Sequence, residues 1–215
     1  MRRLVAVAHG TRSVAGQEQI RALVDRVALR LPGTEVRLTY VDVQHPRVET
    51  MAFGVGTVVV PLLLSTGHHV RVDIANAVAG SGAVVTPPLG PDAVLVASMR
   101  RHLSAAASPW DAVVLAAAGS SDPGWRAEVD GVAAQLGATV AYASGAERRV
   151  ADVVREVRDA GARRVGVAAY LLAEGLFYRS LHRSGADLVT PPLCAGPVVE
   201  DLVVARYVHA AAVSH

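Results

Sequence analysis

The chain of 215 residues contains no lysine; all 21 of its basic residues are arginine. That absence removes Schiff-base catalysis by an ε-amino group and the phosphate-gripping lysine of a Walker A loop. Cysteine is almost absent as well. Cys194 stands alone, so one chain can build no internal disulfide, no cysteine zinc site and no cysteine-held iron–sulfur cluster. A small core or loop role is expected for it. No apolar run approaches the ~20 residues of a membrane span. Met1-Arg2-Arg3 leads directly into Leu4-Val5-Ala6-Val7-Ala8, without the pattern of a signal peptide. These features predict a cytoplasmic protein with no membrane partner, and a formal net charge of +2 is too small to argue for nucleic acid.

What is present is apolar sequence. At 52% hydrophobic the chain can bury a sizeable core, in one domain or in two small ones. Val58 to Leu64 (VVVPLLL) lacks polar alternation, the pattern of a strand covered on both faces, and it stops at the small-residue turn Ser65-Thr66-Gly67, just before His68 and His69. Leu4 to Ala8 is a second such strand, ending at His9-Gly10-Thr11-Arg12-Ser13. Between them Ile20, Leu23, Val24, Val27 and Leu31 recur at helical spacing, with Pro32-Gly33 as the stop, and Glu35 to Asp42 reads as a further strand. A short helix or turn is expected after Gln44-His45-Pro46 and a helix over 70–79. Ala83 to Thr86 should form a fourth strand, and a helix from Pro91 carries the chain to Ser108-Pro109. Strands alternating with helices specify a parallel α/β unit with helices on both faces.

The second half repeats the first. Ala112 to Ala118 followed by Gly119-Ser120-Ser121-Asp122 matches the first strand and its turn, and Val165 to Gly175 matches Val58 to Gly67 with one extra residue. Val189-Thr190-Pro191-Pro192-Leu193 repeats Val85-Thr86-Pro87-Pro88-Leu89 letter for letter. The chain is therefore read as two duplicated parallel-sheet α/β domains, 1–108 and 109–215. Duplication supplies an internal control. Where the first copy has His9, Asp42 and His69, the second has Ala118, Ser144 and Phe177. A residue needed only to cap a turn would be wanted in both copies, so the polar set of the first copy points to function.

His9, Asp42 and His69 each follow a different strand, which places them on one rim of a parallel sheet, where such folds bind ligands. Two imidazoles and a carboxylate suit a borderline divalent metal: Fe²⁺, Co²⁺, Ni²⁺ or Zn²⁺. The same groups accept protons near neutral pH. Arg12, Arg47 and Arg71, near the same rim, carry planar donors suited to carboxylates, although each taken singly reads as a solvated surface charge. His45 and His68 are either auxiliary ligands in a metal relay or solvated loop residues. His102, His182, His209 and His215 have no companions in the pattern. Leu62 to Leu64, Leu171-Leu172, Phe177 and Tyr178 are core residues by default and otherwise the lining of a flat apolar cleft.

The string Ala8-His9-Gly10-Thr11-Arg12, an acidic residue ahead of a proline (Asp42 with Pro46), and Gly67-His68-His69-Val70-Arg71-Val72-Asp73 after VVPLLL together resemble the class II tetrapyrrole chelatases, and within them the sirohydrochlorin chelatases. The resemblance spans the chain. It implies a duplicated chelatase-like fold with the active cleft between the halves. The implied activity is insertion of Fe²⁺ or Co²⁺ into sirohydrochlorin, a lyase reaction of sirohaem or cobalamin biosynthesis, with no cofactor beyond the metal substrate. It aligns His9 and His69 with the active-site histidines and puts Asp42 where many members have glutamate. His9, His69 and Asp42 are then the metal-binding and catalytic set. Arg12, Arg47, Arg71, His68, Ser65, Thr66 and Gly67 would bind the substrate, a tetrapyrrole with eight carboxylates, and the chain would act as a monomer or homodimer. Two rivals remain: a noncatalytic tetrapyrrole or metal carrier, and a histidine phosphatase, which needs an arginine where this chain has Ala8.

Overall fold

The computed structural model describes residues 2–67, 69–106 and 109–213, with only the backbone at 69–71. His68, His215 and the boundary at Ser108 lie outside the described residues, as do the side chains of His69 and Arg71. The chain forms two compact units, one of residues 1–90 with 196–215 and the other of 91–195. Their bounds differ from those of the sequence repeat, because the last helix of each repeat belongs to the unit of the other.

In the first unit β1 (Arg3–Ala8) lies between β2 (Glu35–Tyr40) and β3 (Thr57–Pro61), and β4 (Val84–Val85) closes the order β2-β1-β3-β4. All pairings are parallel, with Ala8 opposite Tyr40 and Val7 opposite Pro61. Alternation divides the side chains of β1 and β3 between two faces. Val5, Val7 and Val59 join Val41, Val48 and Ile74 in one cluster. The other face is covered by α1 (Val14–Arg30) and by α7 (Val198–Val213), the last helix of the chain. Ile20, Leu23, Val24 and Val27 are the buried stripe of α1, so the apolar spacing reports that contact. Glu200 binds Arg26 at 2.9 Å and Arg30 at 3.1 Å, and the Tyr207 hydroxyl lies 3.1 Å from that of Thr34, which fastens α7 along α1.

Two sequence expectations change in detail. The strand expected over 35–42 ends as regular strand at Tyr40, though its ladder continues through Val41 N–H to the Ala8 carbonyl at 3.0 Å. The helix expected over 70–79 is a wide π-helical segment, His69–Ile74, followed by one α-helical turn, α2 (Ala75–Val78). Between β2 and β3 there is only a 3₁₀ turn, Val48–Thr50.

The second unit repeats the sheet. Here β5 (Ala112–Ala117), β6 (Thr139–Tyr142), β7 (Val165–Tyr170) and β8 (Leu188–Val189) run in the order β6-β5-β7-β8, again parallel. One face is covered by α3 (Ala93–Ala106) and α4 (Pro123–Leu136), the other by α5 (Val150–Asp159) and α6 (Leu176–Leu181). At Gly166 a Cβ would stand 2.9 Å from the Leu103 Cδ2 methyl and 3.2 Å from the Trp110 ring, so a side chain there would have to displace both. Two carboxylates order the start of β7: Asp111 accepts from the N–H groups of Arg163 and Arg164, and Asp187 from that of Val165 at 2.7 Å. Among the described residues no helix is long and apolar enough to cross a membrane.

Two predictions follow from the backbone and the strand starts. Gly10 has φ +97°, and a Cβ there would lie 2.1 Å from the Asp42 carbonyl oxygen, whereas Gly33 has φ +78° and open space. Gly33→Ala should cost about 1 kcal/mol for its left-handed backbone alone. Gly10→Ala should cost about 3 kcal/mol or more, since the two backbones must also part; denaturant unfolding of both variants measures the difference. The second concerns Asp187, whose carboxyl is held below the usual range by the Val165 N–H, helped by Arg158 at 2.9 Å. A depressed folded value means stability present above the unfolded pKa and lost as pH falls through the folded one. Asp187→Asn should therefore lower Tm at pH 7, and the gap from the parent should close as pH falls below about 3.9.

Candidate metal and tetrapyrrole site

Parallel strands deliver their C-terminal ends to one edge. In this sheet the chain leaves β1 toward β2 on one side, while β3 on the other side leads outward to β4. The crevice between β1 and β3 is thus a topological switch point, the place where doubly wound sheets accept ligands. His9 follows β1 directly, and the turn Ser65-Thr66-Gly67 with His69 follows β3. Asp42 leaves β2 on the flank of His9.

His9 and Asp42 are joined through the main chain. The Asp42 N–H donates to the His9 carbonyl at 2.9 Å, an approach that Gly10 permits because it has no Cβ. The exposed His9 ring places Nδ1 3.2 Å from the Gly10 carbonyl oxygen. A carbonyl only accepts, so this contact calls for the proton on Nδ1 and leaves the lone pair on Nε2, the form that can ligate a metal.

Asp42 is half exposed. Its Oδ1 accepts from the Val43 N–H at 2.7 Å and from Arg47 Nη1 at 2.8 Å. The Arg47 bond, then that of Val43, holds the Asp42 carboxyl below the ordinary carboxylate range, with a smaller contribution from His9. Arg47 is fixed from its other side as well, because Nη1 also donates to the Val41 carbonyl at 3.1 Å. The guanidinium expected to receive substrate carboxylates is thus bound to the site's own aspartate.

Around this pair the turn is braced by amide side chains. Gln44 accepts from the Thr11 N–H at 2.9 Å, Gln17 donates to the Thr11 carbonyl at 2.8 Å, and Ser13 caps α1. Arg12 projects from this turn, exposed. Ser65 is buried, Thr66 and Gly67 are half-buried, and His45 is exposed. The structure thus brings together His9, Asp42 and Arg47. For His69 and Arg71 it places only the backbone, on the π-helical segment after β3. Among the described residues no cluster of three histidine, cysteine or acidic side chains forms a ready metal cage.

Sequence reasoning missed Val43 and Gln44. Val43 has φ +64°, an outlier for a β-branched residue. Its counterpart in the other repeat is Gly145, φ +85°, and that pairing was the available signal. The second unit otherwise builds the same turn without the chemistry: the Ser144 N–H reaches the Ala118 carbonyl at 3.0 Å, and the Ser144 hydroxyl turns to the same oxygen at 2.7 Å.

A family model, CbiX, matches the chain over residues 3–106 and 112–210, one stretch in each repeat. No curated protein matches the sequence. Among solved structures, SirB from Bacillus subtilis with Fe³⁺ is similar, with a TM-score of 0.78 at 21% identity, over 99% of this chain and 96% of that one. The sirohydrochlorin chelatase SirB from Bacillus subtilis subspecies spizizenii in complex with cobalt gives 0.72 at 21% identity, with the same coverage. CbiX, described as the terminal enzyme for biosynthesis of siroheme in denitrifying bacteria, gives 0.74 at 24% identity, over 97% of this chain and 99% of its own. At such identities these likenesses establish the fold. With both repeats matched by the family model and the His9 motif at the switch point of the sheet, the chain belongs to the CbiX family.

Proposed function

We propose that this protein is a sirohydrochlorin chelatase, inserting Fe²⁺ or Co²⁺ into the ring in the cytoplasm as a step of sirohaem or cobalamin synthesis. The observation that carries the reading is the pairing of His9, beside the β1/β3 crevice, with Asp42 at the end of β2 in one repeat, against Ala118 with Ser144 at the same place in the other. A chain built to hold a resident metal symmetrically would have kept both.

The chemistry divides among a few groups. His9 through Nε2, the ionised Asp42 and His69 are the donors for the incoming ion, which is a substrate and must leave again. Insertion replaces two pyrrole N–H protons by one divalent ion, so bases near neutrality are needed beside the ring, and the two imidazoles fill that role. Asp42, held ionised, lowers the cost of bringing a dication to an exposed rim. Arg12 and Arg71, with His68 and the Ser65-Thr66-Gly67 turn, are the groups for substrate carboxylates. The reactive set belongs to the repeat 1–108, and the repeat 109–215 contributes no metal ligand. Ni²⁺ and Zn²⁺ fit the same donors, and one polypeptide holds the set whether it works as a monomer or a homodimer.

Anaerobic absorbance spectroscopy of sirohydrochlorin with Fe²⁺, and separately with Co²⁺, tests this directly, since insertion shifts the visible bands of the ring. The intact protein should exceed the spontaneous rate, and His9→Ala and His69→Ala should each lose about 100-fold. Binding of the ring without acceleration by any of the divalent metals would instead assign the protein as a carrier.

A further inference from the structure

The carboxylate of Asp42 is engaged through one oxygen only. Oδ1 receives both the Val43 N–H and Arg47 Nη1, while among the described residues no donor reaches Oδ2. Arg47 does not depend on the carboxylate for its place. It follows the 41–46 turn and comes back beside the end of β2, where it forms a bridge with Tyr40, and Nη1 is also anchored on the Val41 carbonyl. The other repeat keeps this arginine as Arg149, with the same bridge to Tyr142, but there Nη1 donates to the Gly145 carbonyl at 3.0 Å. The arginine therefore belongs to the turn in both repeats, and its bond to a carboxylate exists only beside the histidine.

Val43 adds an independent observation. To aim its N–H at Oδ1 it adopts a left-handed backbone that β-branched residues avoid, at a position where the other repeat uses glycine. Strain of this kind persists where the surroundings fix it and concentrates at functional sites. Glycine would relieve the strain but free the turn. A Cβ on Gly10 would stand 3.3 Å from Val43 Cβ, so the valine closes over the turn that carries His9 and holds it against Asp42.

We propose that Arg47 and the left-handed Val43 form a clamp that restricts Asp42 to one-point contact with the metal through Oδ2, keeping the ion loosely enough held to pass into the ring. A carboxylate free to turn could grip a dication through both oxygens with its full charge. With Oδ1 saturated by two donors, one of them charged, that grip is unavailable. Arg47 is a positioning residue here, acting through Asp42, and the proposal rests on the chelatase reading for its purpose but not for its geometry.

The test is a Co²⁺ titration without the ring, followed by ligand-field absorption, alongside kcat and KM for Co²⁺ in the insertion assay. Arg47→Gln should bind Co²⁺ about tenfold more tightly, the low end of what partners of metal ligands control, with kcat and KM for Co²⁺ both lowered. Arg47→Lys, which restores a charged donor, should return toward the parent. Val43→Gly keeps every charge and relaxes the backbone, so it folds whatever Arg47→Gln does, and it should tighten Co²⁺ binding about threefold. Unchanged or weaker Co²⁺ binding in Arg47→Gln overturns the clamp. Tightening in Arg47→Gln without any in Val43→Gly overturns it too, leaving only the charge of Arg47. If the parent shows no insertion at all, the chelatase reading fails while the Co²⁺ titrations still decide the clamp.

Discussion

The site depends on one close approach. Where β1 and β2 end, their ladder does not stop with the strands: Val41 donates to Ala8 and Asp42 to His9, while the backbone of Gly10 lies against the carbonyl of Asp42. Main-chain hydrogen bonds therefore set the spacing between an imidazole and a carboxylate borne by separate strands. Side chains on a rim are otherwise mobile, and two of them ordered only by each other would lose much of their mutual attraction to entropy and solvent. Here the backbone supplies the order, and the side chains add the charge.

Duplication shows what that backbone is worth without the chemistry. The second unit reproduces the turn after β5 with Gly119 at φ +106°, a carbonyl contact to Ser144, and Asp122 in place of Ser13 as the helix cap. Even the brace across the turn is kept in different chemistry, with Arg126 donating to the Ser120 carbonyl at 2.8 Å as Gln17 does to Thr11. The turn is a structural invariant of the fold. His9 and Asp42 are substitutions laid over it, which is why comparing the two halves separates the turn from the side chains it carries.

Much of this was legible in the sequence because it is written in local patterns. Unbroken apolar runs marked β1 and β3 as strands buried on both faces, helical spacing marked α1, and the repeated VTPPL string exposed the duplication. Assigning His9 and Asp42 to one rim needed only the rule that parallel strands end together. The rest depended on information no window contains. The exchange of last helices was invisible because an apolar helix does not state which sheet it will cover. The wide π-helical turns after Thr66 and Gly67 read as ordinary helix, since their composition is that of one. The engagement of Arg47 by Asp42 was missed because five residues in a loop, with a left-handed valine between them, have no periodicity to read.

The exchanged helices bear on the order in which the molecule is made. The layer over the sheet that carries His9 and Asp42 is complete only when α7 lies along α1 and β3, and residues 198–213 are synthesised after all the strands of both sheets. The unit formed by residues 91–195 has all of its elements before then. On the ribosome the half translated first must therefore wait, with one face of its sheet covered by α1 alone, while the half translated second can finish. Maturation of the edge that carries His9 and Asp42 thus waits for α7, so a chain cut short before residue 198 would carry both residues and still lack part of the layer behind them.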